Sequence, residues 1–283
     1  MKSCIIIPAH NEAAFINEVI LSYINQTVIP SKVIIIDDNS TDSTYKIAKE
    51  CSKNFSWLEI IRIDSSKNHL PGKKIVTAFN FGLNNIDMDD YDFIGKFDAD
   101  ILLPNNYFEN ISTVFLKQDN VGIAGGNLYI KKGEDWIFEN ISSKKKVRGP
   151  IKLYRKECFN DIGGLKKSIG WDTVDELLAQ YHGWQVCTDE SLHVKHLKPT
   201  GANYSKTSKY KQGEAFYKMR YGFWLTLIAS GKLAFHKKSF LFFINSLKGY
   251  FKAKNGILPF IVSDEEGVFI RKQRWKGIKK KIF

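Results

Sequence analysis

The first hundred residues alternate between continuous apolar runs and stretches whose apolar residues recur every three or four positions. The runs predict strands buried on both faces of a sheet, at 3–8, 32–36, 57–63 and 91–97. The three-and-four spacing predicts helices between them, at 14–25, 40–51 and 72–83. Strands and helices that alternate in this way predict a parallel α/β sheet with right-handed crossovers.

The pattern after residue 100 is mixed. It predicts helices at 104–117, 156–162 and 173–181, and strands at 121–130, 149–154 and 184–188. Gly163 and Gly164 suit the C-cap of the helix that precedes them. Beyond residue 204 the sequence is helical and aromatic. We therefore predict an α/β domain over 1–202 and a helical extension over 203–283.

Basic residues are concentrated in the predicted extension. Of the 42 Lys and Arg residues, 18 fall in 203–283, which holds 4 of the 30 Asp and Glu residues. A basic segment can bind nucleic acid, anionic lipid or an acidic partner. Its longest apolar runs, 222–230 and 239–247, are shorter than the roughly 20 residues that span a bilayer. The lack of a signal-peptide pattern and four widely separated cysteines predict a cytoplasmic protein with reduced thiols.

Acidic side chains follow three of the predicted strands. Glu12 follows the first strand, Asp37 and Asp38 end the second, and Asp98 and Asp100 end the fourth. In a parallel sheet these ends share one rim, where open α/β sheets bind ligands. Asp98 and Asp100 can hold one divalent cation that takes its other ligands from water and substrate phosphate. Asp38 can accept a hydrogen bond from a base or a ribose, or it can serve turn and helix-cap chemistry.

A second acidic group surrounds the start of the predicted helix at 173–181. Asp172 is placed just before this helix, and Asp175 and Glu176 in its first turn. Asp172 can cap the helix, and the helix dipole favours acids in its first turn. Thr173 can fill the cap in place of Asp172. The functional alternative is a general base that takes a proton from an acceptor hydroxyl.

A glycine, a lysine and two histidines are further candidates. Gly164 allows the backbone to approach a ligand closely. Lys74 stands at a predicted helix start, where an anion can bind and where a solvated lysine is equally common. His193 and His196 are placed after the last predicted strand. His196 becomes relevant if the cation at the strand-end acids needs a third protein ligand.

Two common phosphate-binding patterns are absent from the sequence. No Gly-x-Gly-x-x-Gly follows the first predicted strand, which disfavours a dinucleotide-binding domain. No Gly-Lys-Ser/Thr phosphate loop is present either. Because an acidic rim repels bare phosphate, a phosphate ligand at this rim needs a bridging cation.

Six segments, in order, resemble the family-2 nucleotide-sugar glycosyltransferases with the GT-A fold. The match runs over about 3–200. The segments are 5–12 (first strand and Pro-x-x-Asn-Glu loop), 33–42 (Asp-Asp-x-Ser-x-Asp), 72–82 (Gly-…-Ala-x-Asn-x-Gly), Asp98-Ala99-Asp100 (the metal motif), 161–165 (the Gly-Gly segment) and Trp171–Glu176 (the base motif).

The resemblance implies an α/β fold with a Rossmann-like mixed, mostly parallel sheet flanked by helices. It implies a nucleoside-diphosphate sugar donor, bound mainly by residues 1–100, and Mg²⁺ or Mn²⁺. Residues 101–202 would form the acceptor half. The donor-side residues it implies are Pro8, His10, Glu12, Asp37, Asp38, Lys74, Asp98 and Gly164. The metal ligands it implies are Asp98, Asp100 and His196, with His193 as the alternative to His196.

The base motif departs from the family pattern. The family has a Glu-Asp pair where this chain has Trp171-Asp172, if the segments are aligned on the spacing to Gly183. Asp172 is therefore the first choice for the catalytic base, Asp175 the second and Glu176 the third. A single acceptor-side base implies direct displacement with inversion at the anomeric carbon, which follows from the family.

The resemblance says little about 203–283, where aromatic residues are interleaved with lysines. This composition predicts a segment that lies in a membrane interface, with its lysines on anionic lipid. The acceptor would then be a lipid-linked saccharide at the cytoplasmic face, used in surface polysaccharide or glycolipid assembly. The alternative is an ordinary helical subdomain that packs on the sheet.

Three competing functions were compared with this interpretation. A nucleotidyltransferase would begin with a Gly-rich basic phosphate loop, which 3–12 does not contain. A nucleic-acid-binding protein could stack bases on the aromatic residues of the extension, but it would leave the rim acids without a purpose. Intact Asp98 and Asp100 argue against a catalytically dead relative. A nucleic-acid partner is therefore not expected.

Overall fold

The computed structural model describes residues 1–64, 72–198 and 209–282 of the 283-residue chain, and side chains as far as residue 280. The described strands are β1 Ser3–Ala9, β2 Lys32–Asp38, β3 Leu58–Ile63, β4 Phe93–Phe97, β5 Ile101–Leu102, β6 Val121–Lys132, β7 Asp135–Phe138, β8 Ile151–Arg155 and β9 Gln185–His196. The described α-helices are α1 Ile16–Ile24, α2 Thr44–Ser52, α3 Lys73–Leu83, α4 Tyr107–Lys117, α5 Lys156–Asp161, α6 Trp171–Tyr181, α7 Lys211–Lys218, α8 Gly222–His236, α9 Phe240–Asn255 and α10 Asp264–Ile282.

One mixed sheet organises the fold. Its strand order is β3-β2-β1-β4-β8-β6-β9-β5. The short strand β7 is an additional strand that pairs with the end of β6. The strands β1 to β4 pair in parallel, which confirms the prediction for the first hundred residues. Strand β8 then joins β4 in antiparallel orientation. Because β1, β2 and β4 run in the same direction, the loops that follow them lie at one rim.

Helices cover both faces of this sheet, as an α/β fold requires. The amphipathic helices α1 and α4 bury their apolar stripes against one face, in a cluster that includes Ile16, Ile20, Phe108 and Phe115. The helices α3, α5 and α6 cover the other face, in a cluster that includes Val76, Phe79, Phe159, Val174 and Leu178. The parallel strands β1, β2 and β4 are therefore buried on both sides, which explains their continuous runs of apolar residues, whereas β3 at the sheet edge is partly exposed.

The C-terminal helices extend the second of these cores. Phe216, Leu225, Tyr250 and Ile270 belong to the same buried cluster as residues of α3 and α6. Helix α10 contacts both α6 and α8. The inner faces of these helices therefore pack on the sheet half, as the packed-subdomain alternative predicts. The predicted domain boundary at 202/203 lies outside the described residues. Among the helices that the structure describes, none has the length and apolar character needed to cross a bilayer.

Two of the wrongly predicted boundaries affect the candidate site residues. Strand β9 continues to His196 instead of ending at residue 188, because its second half pairs with both β6 and β5. The two histidines therefore belong to the strand. Helix α6 begins at Trp171, after Gly170 in the left-handed region at φ 76°. Asp172 consequently lies in the first turn of α6, and the two acids after it lie in the second turn.

Candidate active site

The loops after β1 and β2 are joined into one hydrogen-bonded unit at the rim. The Asn11 N–H donates to Ser40 Oγ at 2.9 Å, and the Thr41 N–H donates to Asn11 Oδ1 at 2.8 Å. The Glu12 N–H donates to Thr44 Oγ1 at 2.7 Å. Asn11 adopts φ 56°, a left-handed conformation that asparagine tolerates better than most residues. The two loops predicted to contact a ligand are therefore held side by side.

Two carboxylates at the end of β2 are buried with unsatisfied oxygens. Asp37 is fully buried, and Nε of Arg62 lies 3.5 Å from one of its oxygens. Within the part of the chain that the structure describes, nothing donates a hydrogen bond to either oxygen of Asp37 or to Oδ1 of Asp38. The Asp38 backbone carbonyl accepts from Nδ1–H of His10 at 2.6 Å. Buried acceptors without donors are rare, so these oxygens are available to a ligand that carries donors.

Asp98 and Asp100 follow β4 at the same rim. Asp98 accepts a hydrogen bond from the ammonium of Lys96, a β4 residue whose side chain is 1% exposed. Asp100 Oδ2 lies 3.7 Å from Nε2 of His196, the last residue of β9. The structure thus brings together His196 and the Asp-x-Asp segment, which are almost a hundred residues apart in sequence.

The other histidine, His193, faces away from these acids. Successive strand residues point to opposite faces, and β9 pairs with β6 without a register shift between His193 and His196. A separation of three residues therefore places the two side chains on opposite faces. His193 stacks on Tyr129, with ring centres 4.2 Å apart, and lines a separate cleft with Glu18.

A buried carboxylate that was not predicted from the sequence orients His196. Glu139 is 2% exposed and accepts hydrogen bonds from Nδ1–H of His196, at 2.9 Å, and from Arg148. In the neutral ring this leaves the lone pair of Nε2 directed toward Asp100. Burial opposes a positive charge on the ring, but the bond to Glu139 and the charge of Asp100 outweigh it and raise the pKa of His196.

Burial raises the pKa of two acids at the rim. The pKa of Asp100 rises to about 6 because the carboxyl is buried and stands beside the charge of Asp98. Burial also raises the pKa of Glu12 to about 7, although its carboxylate lies 2.5 Å from the ammonium of Lys198. An added cation favours the charged form of such acids. The rim therefore carries negative charge that a divalent cation would stabilise.

The rim residues fit a divalent cation. Asp98 and Asp100 offer carboxylate oxygens and His196 an oriented ring nitrogen, a donor set that suits Mg²⁺ or Mn²⁺. The residues described by the structure contain no cluster of three or more His, Cys, Asp or Glu side chains that could already hold a metal ion. Asp98 engages Lys96 instead. A cation that completes its shell with substrate phosphate and water requires fewer protein ligands.

The acids at the start of α6 form a second cluster, which a buried lysine holds in place. Lys152 of β8 is fully buried, and its ammonium lies 2.7 and 2.8 Å from the two oxygens of Asp175. It also donates to the backbone carbonyl of Asp172 at 2.7 Å. The Tyr154 hydroxyl donates to Asp175, which is 1% exposed. Asp175 therefore links β8 to α6 and does not face solvent.

Asp172 and Glu176 are the more accessible acids of this cluster. The side chain of Asp172 is 32% exposed and lies 3.4 Å from Nζ of Lys146. Burial opposes a charge on Asp172, but Lys146 and Lys152 outweigh it and lower its pKa. The side chain of Glu176 is 12% exposed, and burial raises its pKa to about 7 despite the nearby Lys152. At neutral pH Asp172 is therefore ionised and Glu176 is near its midpoint.

Lys96 connects the two acidic clusters. Besides its bond to Asp98, the ammonium lies 3.3 Å from the Gly149 carbonyl and 5.1 Å from the Trp171 ring centre. A Cβ at Gly149 would lie 3.1 Å from the Cβ of Asp172. Glycine at this position thus lets the chain pass between β4 and α6. The strand-end acids and the α6 acids are neighbours through this contact.

Gly164 and Lys74, two further residues predicted to contact the donor, lie near helix ends. The N–H groups of Gly163 and Gly164 donate to carbonyls within α5 at 2.9 and 3.0 Å, which confirms the predicted C-cap. Lys74 lies in the first turn of α3. That helix begins after Gly72, at φ 75°, where a Cβ would approach the Ser168 carbonyl to 2.7 Å. The start of α3 therefore lies against the segment that precedes α6.

The family comparison covers the strand-end acids but does not reach His196. The model of the family described as "Glycosyl transferase family 2" matches residues 4–166, more than half of the chain. The chain belongs to glycosyl transferase family 2. The family resemblance inferred from the sequence is thereby confirmed, and five of its six segments lie within the matched residues. The matched segment includes Asp38, Asp98 and Asp100 and ends before α6, so the α6 acids lie beyond it.

The chain matches only part of each curated relative. An uncharacterized glycosyltransferase of Haemophilus influenzae is 31% identical over 134 residues, which cover 46% of this chain and 39% of that protein. Chondroitin synthase of Escherichia coli is 25% identical over 224 residues, covering 73% of this chain and 31% of that protein. The chain therefore spans less than two fifths of the length of these relatives.

Solved structures of family-like transferases share the fold. S. aureus TarS superimposes with a TM-score of 0.59 at 16% identity, over 83% of this chain and 43% of that chain. The mannosyltransferase PcManGT of Pyrobaculum calidifontis, solved with GDP-Man and Mn²⁺, superimposes with a TM-score of 0.56 at 15% identity. The superposition covers 100% of this chain and 81% of that chain. These likenesses confirm the predicted α/β fold of the GT-A type with its C-terminal helices.

Sequence reasoning missed the basic side chains and the carboxylate that organise the site. Lys96 and Lys152 stand inside apolar strand runs, and a lysine in such a run signals a buried ion pair. That signal was available in the sequence. Glu139 follows β7 in a polar segment, so nothing local distinguishes it from a solvated residue.

Proposed function

We propose that this family 2 glycosyltransferase moves a sugar from a nucleoside-diphosphate sugar to an acceptor hydroxyl, with inversion at the anomeric carbon. The observation that carries the proposal is the contact, through Lys96 and Gly149, between a strand-end acid cluster and the acids of α6. The first cluster suits a diphosphate with its cation, and the second suits proton removal. TarS solved with UDP-GlcNAc and PcManGT solved with GDP-Man support the class of donor.

The proposed donor site begins at the joined loops after β1 and β2. The nucleoside would lie against Asp38 and the Pro8, His10 and Glu12 segment, with Asp37 beneath it. Its base and ribose carry N–H and O–H donors, which match the unsatisfied carboxylate oxygens at the end of β2. The proposed contacts nearer the phosphates and sugar are Lys74, Asp98 and Gly164.

The proposed metal ligands are Asp98, Asp100 and His196. A bound Mg²⁺ or Mn²⁺ supplies charge neutralisation for the departing diphosphate. The raised pKa of Asp100 and the orientation of His196 by Glu139 support this assignment. Lys96 holds Asp98 and adds positive charge beside the leaving group.

Asp172 is the proposed general base. It is ionised at neutral pH, and it is the most exposed of the α6 acids. Asp172 would take the proton of the acceptor hydroxyl while that oxygen attacks the anomeric carbon. The bond from the anomeric carbon to the diphosphate then breaks, and the diphosphate leaves with the electron pair. Asp175 is bound by Lys152 and Tyr154 and would position α6, while Glu176 is the alternative base.

The proposed acceptor is a glycan or a lipid-linked saccharide in the assembly of a surface polysaccharide or glycolipid. We place residues 1–202 in the transferase domain and residues 203–283 in a helical extension that brings it to a membrane. The eighteen basic residues of that extension support an anionic surface at the cytoplasmic face of a membrane. Which sugar and which nucleotide are used depends on side chains around the joined loops.

The test is a thermal-shift panel of UDP, GDP and their sugars, each with and without Mn²⁺. A ligand that binds only the folded protein raises its melting temperature by mass action. We expect one nucleotide series to stabilise the protein in a Mn²⁺-dependent way, and Asp100→Asn to lose this effect. Asp89→Asn, which changes an acid that is 92% exposed, serves as the control and keeps it. No shift with any nucleotide would overturn the proposed donor site.

A further inference from the structure

Helices α8 and α9 form an antiparallel hairpin that is firmly attached to the rest of the protein. Ser230 and Ser246 are buried between the two helices, with their hydroxyl oxygens 2.7 Å apart. Helix α7 packs on α9 so closely that a Cβ at Gly213 would overlap the backbone carbonyl of Ser246. The inner face of the hairpin is therefore packed against the rest of the protein, and the side chains on its outer face are exposed to solvent.

Three large apolar side chains are exposed on the helix ends beside the connection between α8 and α9. Phe235 is 83% exposed, Phe240 is 74% exposed and Leu241 is 66% exposed. We call residues 235–241, which comprise this connection and the adjoining helix ends, the hairpin tip. Single exposed apolar residues are common on protein surfaces, but three large ones within seven residues are a concentration of exposed apolar surface that marks interaction sites. The outer surface of a packed subdomain does not require such a patch.

The charges in the segment that carries the hairpin tip are all positive. The tip itself contains Lys237 and Lys238, and the whole segment 215–263 has eight Lys and Arg residues and no Asp or Glu. An apolar patch enclosed by cations is typical of surfaces that bind the boundary of an anionic bilayer. A second copy of this chain would bring the same charges together and be repelled. No described helix can span a bilayer, so the contact would be interfacial.

We propose that the hairpin tip inserts its apolar side chains into the headgroup boundary of a membrane that carries anionic lipids. The lysines of the tip and of α9 then meet the lipid phosphates. The choice of a lipid-linked acceptor rests on the proposed function, whereas the membrane contact rests on the hairpin alone. The occupant of this surface is thus a lipid bilayer, and a nucleic acid or another protein is an alternative that experiment can separate.

The experiment is co-sedimentation of the full chain with vesicles of phosphatidylcholine, with and without phosphatidylglycerol. We expect binding to the anionic vesicles that weakens at high salt, because surface charges are screened. The triple variant F235S/F240S/L241S should bind about tenfold less tightly or worse. Leu116→Ser changes an equally exposed side chain, 79% exposed, on α4 in the sheet half, and this control should bind like the wild type.

The same samples separate this inference from the proposed function. Nucleotide-dependent thermal stabilisation should be equal in the wild type and the triple variant, because the hairpin tip does not belong to the rim. The inference is overturned if the wild type ignores anionic vesicles, if the triple variant binds them as well as the wild type, or if the chain is retained on DNA and not on vesicles. Loss of the nucleotide response with intact vesicle binding would sink the donor site and leave the membrane contact standing.

Discussion

Two lysines inside strands dominate the electrostatics of the candidate site at the scale of single residues. Lys96 and Lys152 have side chains that are 1% and 0% exposed, and each forms an ion pair with an acid of the site. An unpaired ammonium at such a depth would be strongly unfavourable, so each lysine requires its acid. Each lysine therefore fixes the position of a carboxylate before any ligand binds.

The assignment of the base gives the first prediction. Asp172→Asn should lower kcat by about 100-fold or more, because a neutral amide cannot accept the hydroxyl proton. The nucleotide-dependent thermal shift should be unchanged, since Asp172 does not belong to the donor loops. Steady-state kinetics on a competent acceptor, with the thermal shift beside it, measures both effects. An equal loss in Glu176→Gln with full activity in Asp172→Asn would transfer the base to Glu176.

The raised pKa of Glu176 predicts a dependence of stability on pH. Its pKa is about 7 in the folded protein and 4.5 when the group is unperturbed, so the folded state binds more protons between these values. The contribution of Glu176 to stability is therefore full below pH 4.5 and is lost as pH rises through about 7.

Glu176→Gln removes the free-energy cost of burying the charged Glu176 carboxylate at high pH. Between pH 5 and pH 8 we expect the stability of this variant to rise relative to that of the wild type by about 2–3 kcal/mol. Urea denaturation of both proteins from pH 5 to pH 8 measures the difference. A difference that stays constant over this range would show that the Glu176 carboxyl titrates normally.

At the scale of elements, the sequence predicted the sheet half well because its strands are buried on both faces. Continuous apolar runs identified β1, β2 and β4, and the acids at their ends were correctly expected at one rim. Strand β9 was cut short because residues such as Asp189 and Glu190 break its apolar pattern, although pairing with β6 carries the strand to His196. A long-range pairing of this kind leaves no local mark in a sequence.

The same limit explains why the strand-end acids were easier to predict from the sequence than the environment of the α6 acids. The Asp-x-Asp segment was predictable because both acids follow one strand. The environment of Asp172 was not, because Lys146 and Lys152 approach it from a distant strand and the loop before it. The start of α6 is set by Gly170 in a left-handed conformation, which the sequence alone did not distinguish from a loop glycine.

Alanine substitutions at a packed glycine of α7 and at an unpacked glycine of α10 should have opposite effects on stability. Gly213→Ala should destabilise the protein by about 3 kcal/mol, because the added methyl group would overlap the Ser246 carbonyl and the helices cannot separate without cost. Gly277→Ala in α10 should stabilise it by about 0.5–1 kcal/mol, since a Cβ there meets nothing within 4 Å and alanine favours the helix. Urea denaturation measures both. Equal effects at the two positions would contradict the packing of α7 on α9.

At the scale of the whole molecule, α10 connects the two functional surfaces. It contacts α6, which carries the proposed base, and α8, which ends at the hairpin tip. The contact with α6 includes the rings of Tyr181 and Phe269, with centres 5.5 Å apart. The proposed membrane surface and the acids of α6 are therefore connected through one helix, as the proposed lipid-linked acceptor would require. The excess of positive charge lies in 203–283, with 18 Lys and Arg residues against 4 Asp and Glu residues, whereas the proposed donor site is built from acids of the sheet half.

This separation predicts two sets of protected amides that do not overlap. Hydrogen exchange with UDP or GDP and Mn²⁺ should slow at 8–12, 38–44 and 98–100, because the ligand orders the joined loops and the Asp-x-Asp segment. Anionic vesicles should instead slow exchange at 235–242 and leave those three segments unchanged. Protection of 8–12 by vesicles without nucleotide would mean that the membrane covers the donor rim. In that case the hairpin tip would not be the surface that sets the orientation of the enzyme on the bilayer.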